Sequence, residues 1–421
     1  MSFEYKDEYK YLSSACLNLT DDCNLACKYC FVAQQPHYMS LETAKQAVDF
    51  LVNNLRIKKE KGYISEKAKT DITYFGGEPT LMWDSIIVPL TKYIKETYPN
   101  EVGMSITTNG TLLNKERIDF LYDNGIGVLL SIDGAKETQD FNRPCKHGKC
   151  SSFDLVIKNI PYLLEKFPDI TFRSTIYAPT VEHTFENYVY ATYLGFKNIF
   201  MVPNSRDKWT DKQKEILREQ VQKIALFIAN SFNKNLVPID FSSLNDAFER
   251  VLQHDIKVYN KEPNEKVNNS RGCKTCGLGT TFGSIGYNGD IYGCQEQDSK
   301  GEKSKFYLGN IKTGINEQLH TNLLAEYTQK TELNCENPEL CKNCKLKNIC
   351  FNHACPSSSQ DLFHSFFIDS EIHCLWTQYL FENAAIILRL LTERNNLLFK
   401  KYLMDKCRYS NYFTEEEENE L

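Results

Sequence analysis

Three thiols stand within eight residues, at Cys23-Asn24-Leu25-Ala26-Cys27-Lys28-Tyr29-Cys30. A cubane iron–sulfur cluster holds four irons, and each normally takes one thiolate. Three local cysteines therefore leave one iron open, and an open coordination position is what turns a structural metal site into a catalytic one. A zinc site completed by Cys16 or His37 is the competing reading of the same triplet.

Further along, three short motifs each follow a strand-like run: Gly76-Gly77-Glu78-Pro79, Thr107-Thr108-Asn109-Gly110 and Ser131-Ile132-Asp133-Gly134. Paired glycines let a backbone approach a ligand closely, and a carboxylate suits an ammonium group. Plain turns would use similar residues, Asp133-Gly134 as a type I′ signal and Arg143 as a surface ion-pair partner. Sixteen cysteines are unevenly spread, with ten between Cys273 and Cys407. There Cys341-Lys342-Asn343-Cys344 is followed by Cys350, Cys355 and Cys374, a spacing that also fits a zinc ribbon. Asn288-Gly289, flanked by alternating apolar residues, predicts a hairpin that turns Cys294 back toward Cys276. Cys145, Cys150, Cys335 and Cys407 read as ordinary thiols.

The elements that must position these residues alternate strand and helix from Ser14 to about Pro203. Strands are expected at Ala15–Leu19, Ile72–Phe75, Met104–Thr108, Val128–Ile132, Ile170–Ile176 and Asn198–Val202. Ser40 is an N-cap, with Thr43 where a capping box has its acid. Six parallel strands with crossover helices imply a partial barrel, with chemistry at the carboxyl ends of the strands, where the three motifs fall. The charged stretch Arg56–Thr70 reads as an exposed connection, Lys208–Phe232 as a long helix, and Thr377–Leu403 as a helix before an acidic tail. The expected fold class is α/β: a partial (β/α)6 TIM-like barrel over 1–235, a bridging segment over 236–270, a small cysteine-rich domain over 271–376, and a C-terminal helix and tail over 377–421. The hydrophobic share of 42% can bury a core. A net charge of −6 without a dominant Lys/Arg block argues against a nucleic-acid partner. Neither a membrane span nor a secretion signal is visible, so a cytoplasmic location is expected, and clustered cysteines in a reducing compartment more often bind metal than pair.

The C-x3-C-x2-C spacing, with Tyr29 before the last cysteine, resembles the radical S-adenosylmethionine (SAM) superfamily, and the three later motifs follow in that family's order across most of the first 200 residues. The resemblance implies a 4Fe–4S cluster on Cys23, Cys27 and Cys30 whose open iron is chelated by SAM, and reductive cleavage of SAM to a 5′-deoxyadenosyl radical. Gly76, Gly77 and Glu78 would bind the SAM amino group, Ser131 and Arg143 would hold its carboxylate, Asn109 and Asp133 would lie near the ribose, and Tyr29, Pro79 and Thr108 would also belong to the cofactor site. The C-terminal cysteines resemble the SPASM extension, which implies two auxiliary 4Fe–4S clusters. Cys276, Cys294 and Cys355, with Cys273 as a fourth candidate, would serve the first; Cys341, Cys344, Cys350 and Cys374 would serve the second. Without Cys273 the first auxiliary cluster has an open iron for a substrate thiolate.

SPASM proteins that resemble this chain modify ribosomally made peptides, which implies a Cys-rich precursor peptide as substrate and a thioether crosslink as product. More distantly the chain resembles anaerobic sulfatase-maturating enzymes, which form formylglycine. Those carry an Asp directly after the cysteine matching Cys294, where this chain has Gln295, and a neutral amide is no general base. Only a short segment precedes Cys23, so leader recognition is expected to need another surface or a separate leader-binding protein, together with a reductase, flavodoxin or ferredoxin as electron donor. A non-catalytic iron–sulfur carrier is the remaining alternative, and it has no need of a Gly76–Pro79 motif.

Overall fold

The structure, a computed structural model, describes residues 3–236, 240–259, 277–333, 346, 355–366, 370–394 and 396–407. The chain forms two compact units: Met1–Ser131 with Gln139–Ile170 and Cys276–Lys330, and Ile132–Thr138 with Thr171–Thr275 and Thr331–Leu421.

The first unit is built on β1 (Ala15–Thr20), β2 (Thr70–Gly76), β3 (Val102–Thr108) and β4 (Ile126–Ser131), mutually parallel in that order. β1 is buried along its whole length, as a strand covered on both faces must be. One face carries Leu17, Leu19, Ile72, Tyr74 and Ile106, all at most 1% exposed. It packs under the helices Leu41–Glu60 and Val88–Thr97, the buried Tyr74 hydroxyl pairing with Thr91 at 2.9 Å. The other face is polar: Cys16 lies in register with Thr73, and Thr73 with Ser105.

The helix Leu41–Glu60 starts as its sequence dictates. The Ser40 hydroxyl accepts from the Thr43 N–H at 3.0 Å, and Ala44, Ala47, Val48, Leu51, Val52 and Leu55 form a buried stripe of helical period. It continues to Glu60, so the connection expected from Arg56 begins only at Lys61. The long stem of Lys58 explains this, since such a stem buries while its head finds a partner, and the exposed Arg56 finds a partner at the surface. Lys58 is buried and donates to the Thr280 carbonyl at 3.2 Å, and Arg56 pairs with Glu101 at 2.7 Å.

On the other edge of β1 lies β8 (Gly283–Ile285), parallel to it, followed by β9 (Asp290–Tyr292), β10 (Tyr307–Asn310) and β11 (Gly314–Ile315) in antiparallel succession. The β8–β9 hairpin turns at Asn288-Gly289, with Gly289 at φ +87°, as expected. Its pairing to β1 was not legible, because three residues are too few to carry a period. Cys276, the partner expected for Cys294, lies outside the described residues.

The second unit holds β5 (Thr171–Ile176), β6 (Asn198–Pro203) and the two-residue β7 (Asp240–Phe241), all parallel. Thr210 and Gln213 form a full capping box for the helix Asp211–Asn233, which runs beside Glu371–Glu393 with ion pairs Lys214–Glu371 (2.7 Å) and Arg218–Glu382 (2.9 Å). The single C-terminal helix expected from Thr377 to Leu403 is in fact two, Glu371–Glu393 and Leu397–Cys407. The break is chemical: the Asn396 side chain accepts from the Phe399 N–H at 2.9 Å, capping a new helix, and donates to the Phe232 carbonyl at 3.1 Å. Among the described residues no helix is long and apolar enough to cross a membrane.

His320 locks three segments of the first unit together. It is fully buried, its Nε2 lies 3.0 Å from the Leu278 carbonyl, and its Nδ1 lies 3.0 Å from the Tyr5 hydroxyl. The neutral tautomer with the proton on Nε2 satisfies both contacts. Burial lowers its pKa from the usual 6.5 to about 4. Below pH 6.5 the unfolded chain binds a proton that the folded one refuses, so stability is full above that pH and falls toward pH 4, by about 3 kcal/mol in all. Thermal unfolding between pH 7 and pH 4.5 should show this loss in the wild-type protein and a flatter profile in His320→Gln; identical slopes would disprove the assignment.

Candidate functional site

The three clustered cysteines occupy the loop that leaves β1, and its shape is fixed by its own polar residues. Thr20 Oγ1 donates to the His37 carbonyl at 2.8 Å and accepts from the Asp22 N–H at 2.9 Å. Asp22 Oδ1 accepts from the Cys23 N–H at 2.8 Å, and Asn24 Nδ2 donates to Thr111 at 2.7 Å. Leu25 is fully buried, and the Cys30 N–H turns back to the Cys27 carbonyl at 3.1 Å. Along the other side of the loop runs the segment Asn142–Lys146. Ala26 N–H donates to Pro144 O at 2.8 Å, Lys28 N–H to Asn142 O at 2.9 Å, and Lys146 N–H to Asn24 O at 2.9 Å. Lys146 Nζ meets Asp22 at 2.8 Å and holds that carboxyl below the usual carboxylate range.

The Gly-Gly-Glu motif at the end of β2 is joined directly to this loop. Gly77 N–H donates to Thr20 O at 2.7 Å and Glu78 N–H to Asp22 O at 2.9 Å. Gly76 has φ +138°, and a Cβ on it would strike the Thr20 carbonyl and Asn18 Oδ1; a Cβ on Gly77 would strike the Asp22 carbonyl. Glu78 is 1% exposed. Its Oε1 accepts from the Thr80 N–H (3.1 Å), the Thr80 hydroxyl (2.5 Å) and the Thr108 hydroxyl (2.7 Å), and its Oε2 from the Asn109 N–H (2.8 Å). Burial raises its pKa while these four donors work the other way. Pro79 is buried at the start of the short helix Pro79–Met82, which Glu78 caps.

Asn109 completes the arrangement. Its Nδ2 donates to Asn24 Oδ1 at 2.9 Å and lies 3.8 Å from the Cys23 sulfur, while its Oδ1 accepts from the Thr111 N–H and hydroxyl. The structure thus brings Cys23, Gly76, Gly77, Glu78, Pro79, Thr108 and Asn109 into one network. Arg143 and Tyr29 join at its margin, the guanidinium standing 5.4 Å from the ring centre. Burial raises the Cys30 thiol and the charge of Arg143 pulls it back. The Cys23 thiol is pushed up to about 12, chiefly by burial, with Glu78, Cys27 and Cys30 adding to the rise. Ser131 closes β4. Asp133 belongs to the second unit, where its Oδ1 accepts from the Thr175 N–H at 3.1 Å.

The candidate fourth zinc ligands are otherwise engaged. Cys16 sits on β1 beside Thr73 and Asp298, and His37 pairs with Asp21 at 3.0 Å while stacking on Tyr287. Among the described residues no three His, Cys, Asp or Glu side chains could hold a single metal ion; a cubane makes a different demand, one thiolate per iron. Cys294 follows β9 in the first unit. In the second, Cys355 precedes the helix Pro356–Phe363 and Cys374 lies in the first turn of Glu371–Glu393. Cys273, Cys276, Cys335, Cys341, Cys344 and Cys350 lie outside the described residues. Cys145 and Cys150, expected to be ordinary thiols, are instead joined as a disulfide with Cα atoms 5.9 Å apart, because the turn through Gly148 brings their backbones within bridging range.

Four polar residues near the loop were not singled out in the sequence. Asn18 is 2% exposed; its Nδ2 donates to Asp21 at 2.8 Å, and its buried Oδ1 has no hydrogen-bond partner among the described residues. Asp298 accepts from Ser284 at 2.7 Å and is raised to about 7, mainly by burial, with Asp21 adding to the rise. The adjacent Asp21-Asp22 before Cys23 is the one sequence signal that could have pointed here, and it was not used; Asn18 and Asp298 become visible only when β8 pairs with β1.

Residues 17–189 match the Radical SAM superfamily. The chain carries a radical SAM domain. The chain is 33% identical to an uncharacterised protein of Methanocaldococcus jannaschii over 36% of its own length, and spans about half, 48%, of that relative. It is 24% identical to the cysteine-type anaerobic sulfatase-maturating enzyme of Clostridium perfringens over 89% of this chain and 96% of that one. Among solved structures it resembles a tagged form of anSMEcpe with bound AdoMet (TM-score 0.69, 21% identity, 94% and 98% of the two chains). It also resembles Streptococcus suis SuiB bound to precursor peptide SuiA (TM-score 0.55, 17% identity, 87% and 76%). These likenesses show the fold, an α/β architecture with the parallel-sheet core of a radical SAM partial barrel. Radical SAM domains use a 4Fe–4S cluster and SAM.

The network makes two substitutions informative. Thr108→Val deprives buried Glu78 of one donor and should cost about 1–3 kcal/mol. Gly77→Ala puts a methyl group into the Asp22 carbonyl and should lower the melting temperature further and disorder the cysteine loop. Thermal unfolding measures both; a Gly77→Ala protein as stable as wild type would refute the contact.

Proposed function

We propose that the protein is a radical SAM enzyme that abstracts hydrogen from a peptide or protein substrate. The observation that carries this is the direct hydrogen bonding of the Gly76–Glu78 motif to the loop bearing Cys23, Cys27 and Cys30. Three thiols on one loop suit three corners of a cubane, and two residues without side chains beside the orphaned acceptor Asn18 Oδ1 suit an ammonium group. When bound, the cluster and SAM together supply a 5′-deoxyadenosyl radical.

The residues divide the work. Cys23, Cys27 and Cys30 hold the cluster, and Cys23, protonated at neutral pH when metal-free, gives up its proton on binding iron. Glu78 has four donors already, which uses the acceptor capacity of a carboxylate, so its part is to hold Thr108 and Asn109 in place. The SAM amino group is left to the backbone at Gly76 and Gly77 and to Asn18 Oδ1. Arg143, beside Tyr29 and Cys30, supplies the positive charge for the SAM carboxylate. Ser131, Asp133, the auxiliary cysteines and the division into barrel, bridge, SPASM domain and C-terminal helix remain as the sequence proposes them.

For the substrate, a Cys-containing precursor peptide and a thioether product stand first, because Gln295 offers no base next to Cys294. A likeness to SuiB, which binds a precursor peptide, supports a peptide substrate. One observation favours the sulfatase-maturating reading as second: Asp298, three residues beyond Gln295, is a buried carboxyl that titrates near neutrality. A cytoplasmic site and a flavodoxin or ferredoxin donor complete the proposal.

Reduced, cluster-loaded protein should convert SAM to methionine and 5′-deoxyadenosine, and Cys23→Ala should abolish this. Asn18→Leu should weaken SAM binding about tenfold in equilibrium dialysis, the worth of one hydrogen bond to a charged group. A Cys-rich peptide should lose two hydrogens per crosslink; a hydrazine-reactive aldehyde would replace the first substrate reading by the second, and failure to cleave SAM would sink both.

A further inference from the structure

The segment lying along the cysteine loop is itself fastened by a bond that neither the fold nor the proposed reaction uses. Phe141–Lys146 forms a strap antiparallel to Asn24–Lys28, with a bridge between Leu25 and Cys145 and three backbone hydrogen bonds of 2.8 to 2.9 Å. Its side chains close over the loop at three places. Lys28 Nζ sits 2.9 Å from the centre of the Phe141 ring, Arg143 faces Tyr29, and Lys146 meets Asp22.

Beyond Lys146 the chain leaves the protein surface. His147, Gly148, Lys149 and Cys150 are exposed, and nothing lies within 4 Å of where a Gly148 side chain would begin. Two ties bring the chain back: the disulfide from half-buried Cys145 to Cys150, and Asp140, whose carboxylate accepts from the Ser151 and Ser152 hydroxyls and the Phe153 N–H. Cys150 is followed by Ser151, whose hydroxyl accepts from Asp154 N–H at 3.0 Å and caps the helix Ser152–Ile157. The disulfide therefore ties the end of the strap to a fixed helix start.

We propose that Cys145 and Cys150 are a thiol–disulfide exchange site whose state sets how tightly the strap holds the cysteine loop. Cys150 is the accessible sulfur, and exposed disulfides are the ones that exchange. A dithiol, either small or on a thioredoxin-class protein, attacks the Cys150 sulfur as a thiolate and forms a mixed disulfide. The Cys145 thiolate leaves, with the cationic side chain of Lys149 close in sequence to favour the anion. The second thiol of the reagent then attacks the mixed disulfide. Two electrons and two protons pass to Cys145 and Cys150, and the reagent leaves as its own disulfide. In the dithiol state the strap keeps its backbone bonds to the loop and the Asp140 hydrogen bonds to Ser151, Ser152 and Phe153, but loses its covalent tie to that helix start, and local opening becomes easier. The site rests on the strap's geometry and not on any step of the proposed reaction.

Anaerobically prepared, cluster-loaded protein, with and without dithiothreitol, is the material for the test. Alkylation followed by mass mapping should label Cys145 and Cys150 only after dithiol treatment. Hydrogen exchange of the peptide covering 24–28 should quicken at least tenfold on reduction, while a peptide from β8–β9 stays unchanged. Cys150→Ser should exchange at the fast rate without dithiol; if that variant folds poorly, the wild-type pair still decides. Full alkylation of both cysteines before reduction, or equal exchange in the oxidised and reduced proteins, overturns the proposal. Neither readout needs SAM or a peptide, so a failure of turnover would not be mistaken for a failure of the switch.

Discussion

A carboxylate buried without a counter-ion at hydrogen-bond distance is the constraint around which the site is arranged. Glu78 is inaccessible to solvent, and removing a charge from water costs several kcal/mol unless donors replace the water. Four donors do so, two from Thr80 just beyond it and two from Thr108 and Asn109 at the end of the neighbouring strand. Meeting that demand fixes where β3 ends relative to β2. Because the N–H groups of Gly77 and Glu78 also bind Thr20 and Asp22, the end of β1 and the cysteine loop are fixed at the same time. Three strand termini and the first thiol are therefore positioned by one polar group, on the rigid part of the unit and not on free loops.

Much of this was legible before the structure, and the limits have physical causes. Six strands appeared as short apolar-rich runs, and three of them were marked at their ends by Gly76-Gly77, Asn109-Gly110 and Asp133-Gly134, because a buried strand keeps at least one apolar face and must stop at a turn. The motifs at their ends were legible because close backbone approach demands glycine at Gly76 and Gly77. Asn18 and Asp298 were invisible since their significance comes from a pairing of three residues, β8 on β1, that no periodic pattern announces. The Cys145–Cys150 bond was missed because compartment argued against pairing, whereas backbone proximity, a local matter, decided it. Helix ends failed where a side chain settled them: Arg56 and Lys58 carried one helix further than its charge suggested, and Asn396 divided another.

The polar face of the first sheet bears on the choice of substrate. Cys16, Thr73 and Ser105 line it, Ser284 is in register with Cys16, and Asp298 and Asn18 stand next to them. A sheet face that only needed covering would be apolar, as the opposite face is. Polar groups in such a place are retained because they hydrogen-bond to something, whether each other or a polar ligand. Gln295 removes a base from one position, and Asp298 returns a titratable carboxyl to the same segment, so the difference between the two substrate readings comes down to whether that carboxyl reaches the reacting atom.

Charge completes the argument. Cys23 resists ionisation because it is buried near Glu78 and two further thiols, so an empty site has every reason to stay neutral. In the proposed function three thiolates would form on iron, and negative charge would gather beside a carboxylate that cannot move away. Such a site favours whatever brings positive charge, and SAM carries it on both its ammonium and its sulfonium groups. On that proposal metal loading and cofactor binding would be coupled through electrostatics, the first making the second favourable. The same surplus of negative charge accounts for the cations at the rim, Lys28, Arg143 and Lys146, all drawn from the loop or from the strap laid along it.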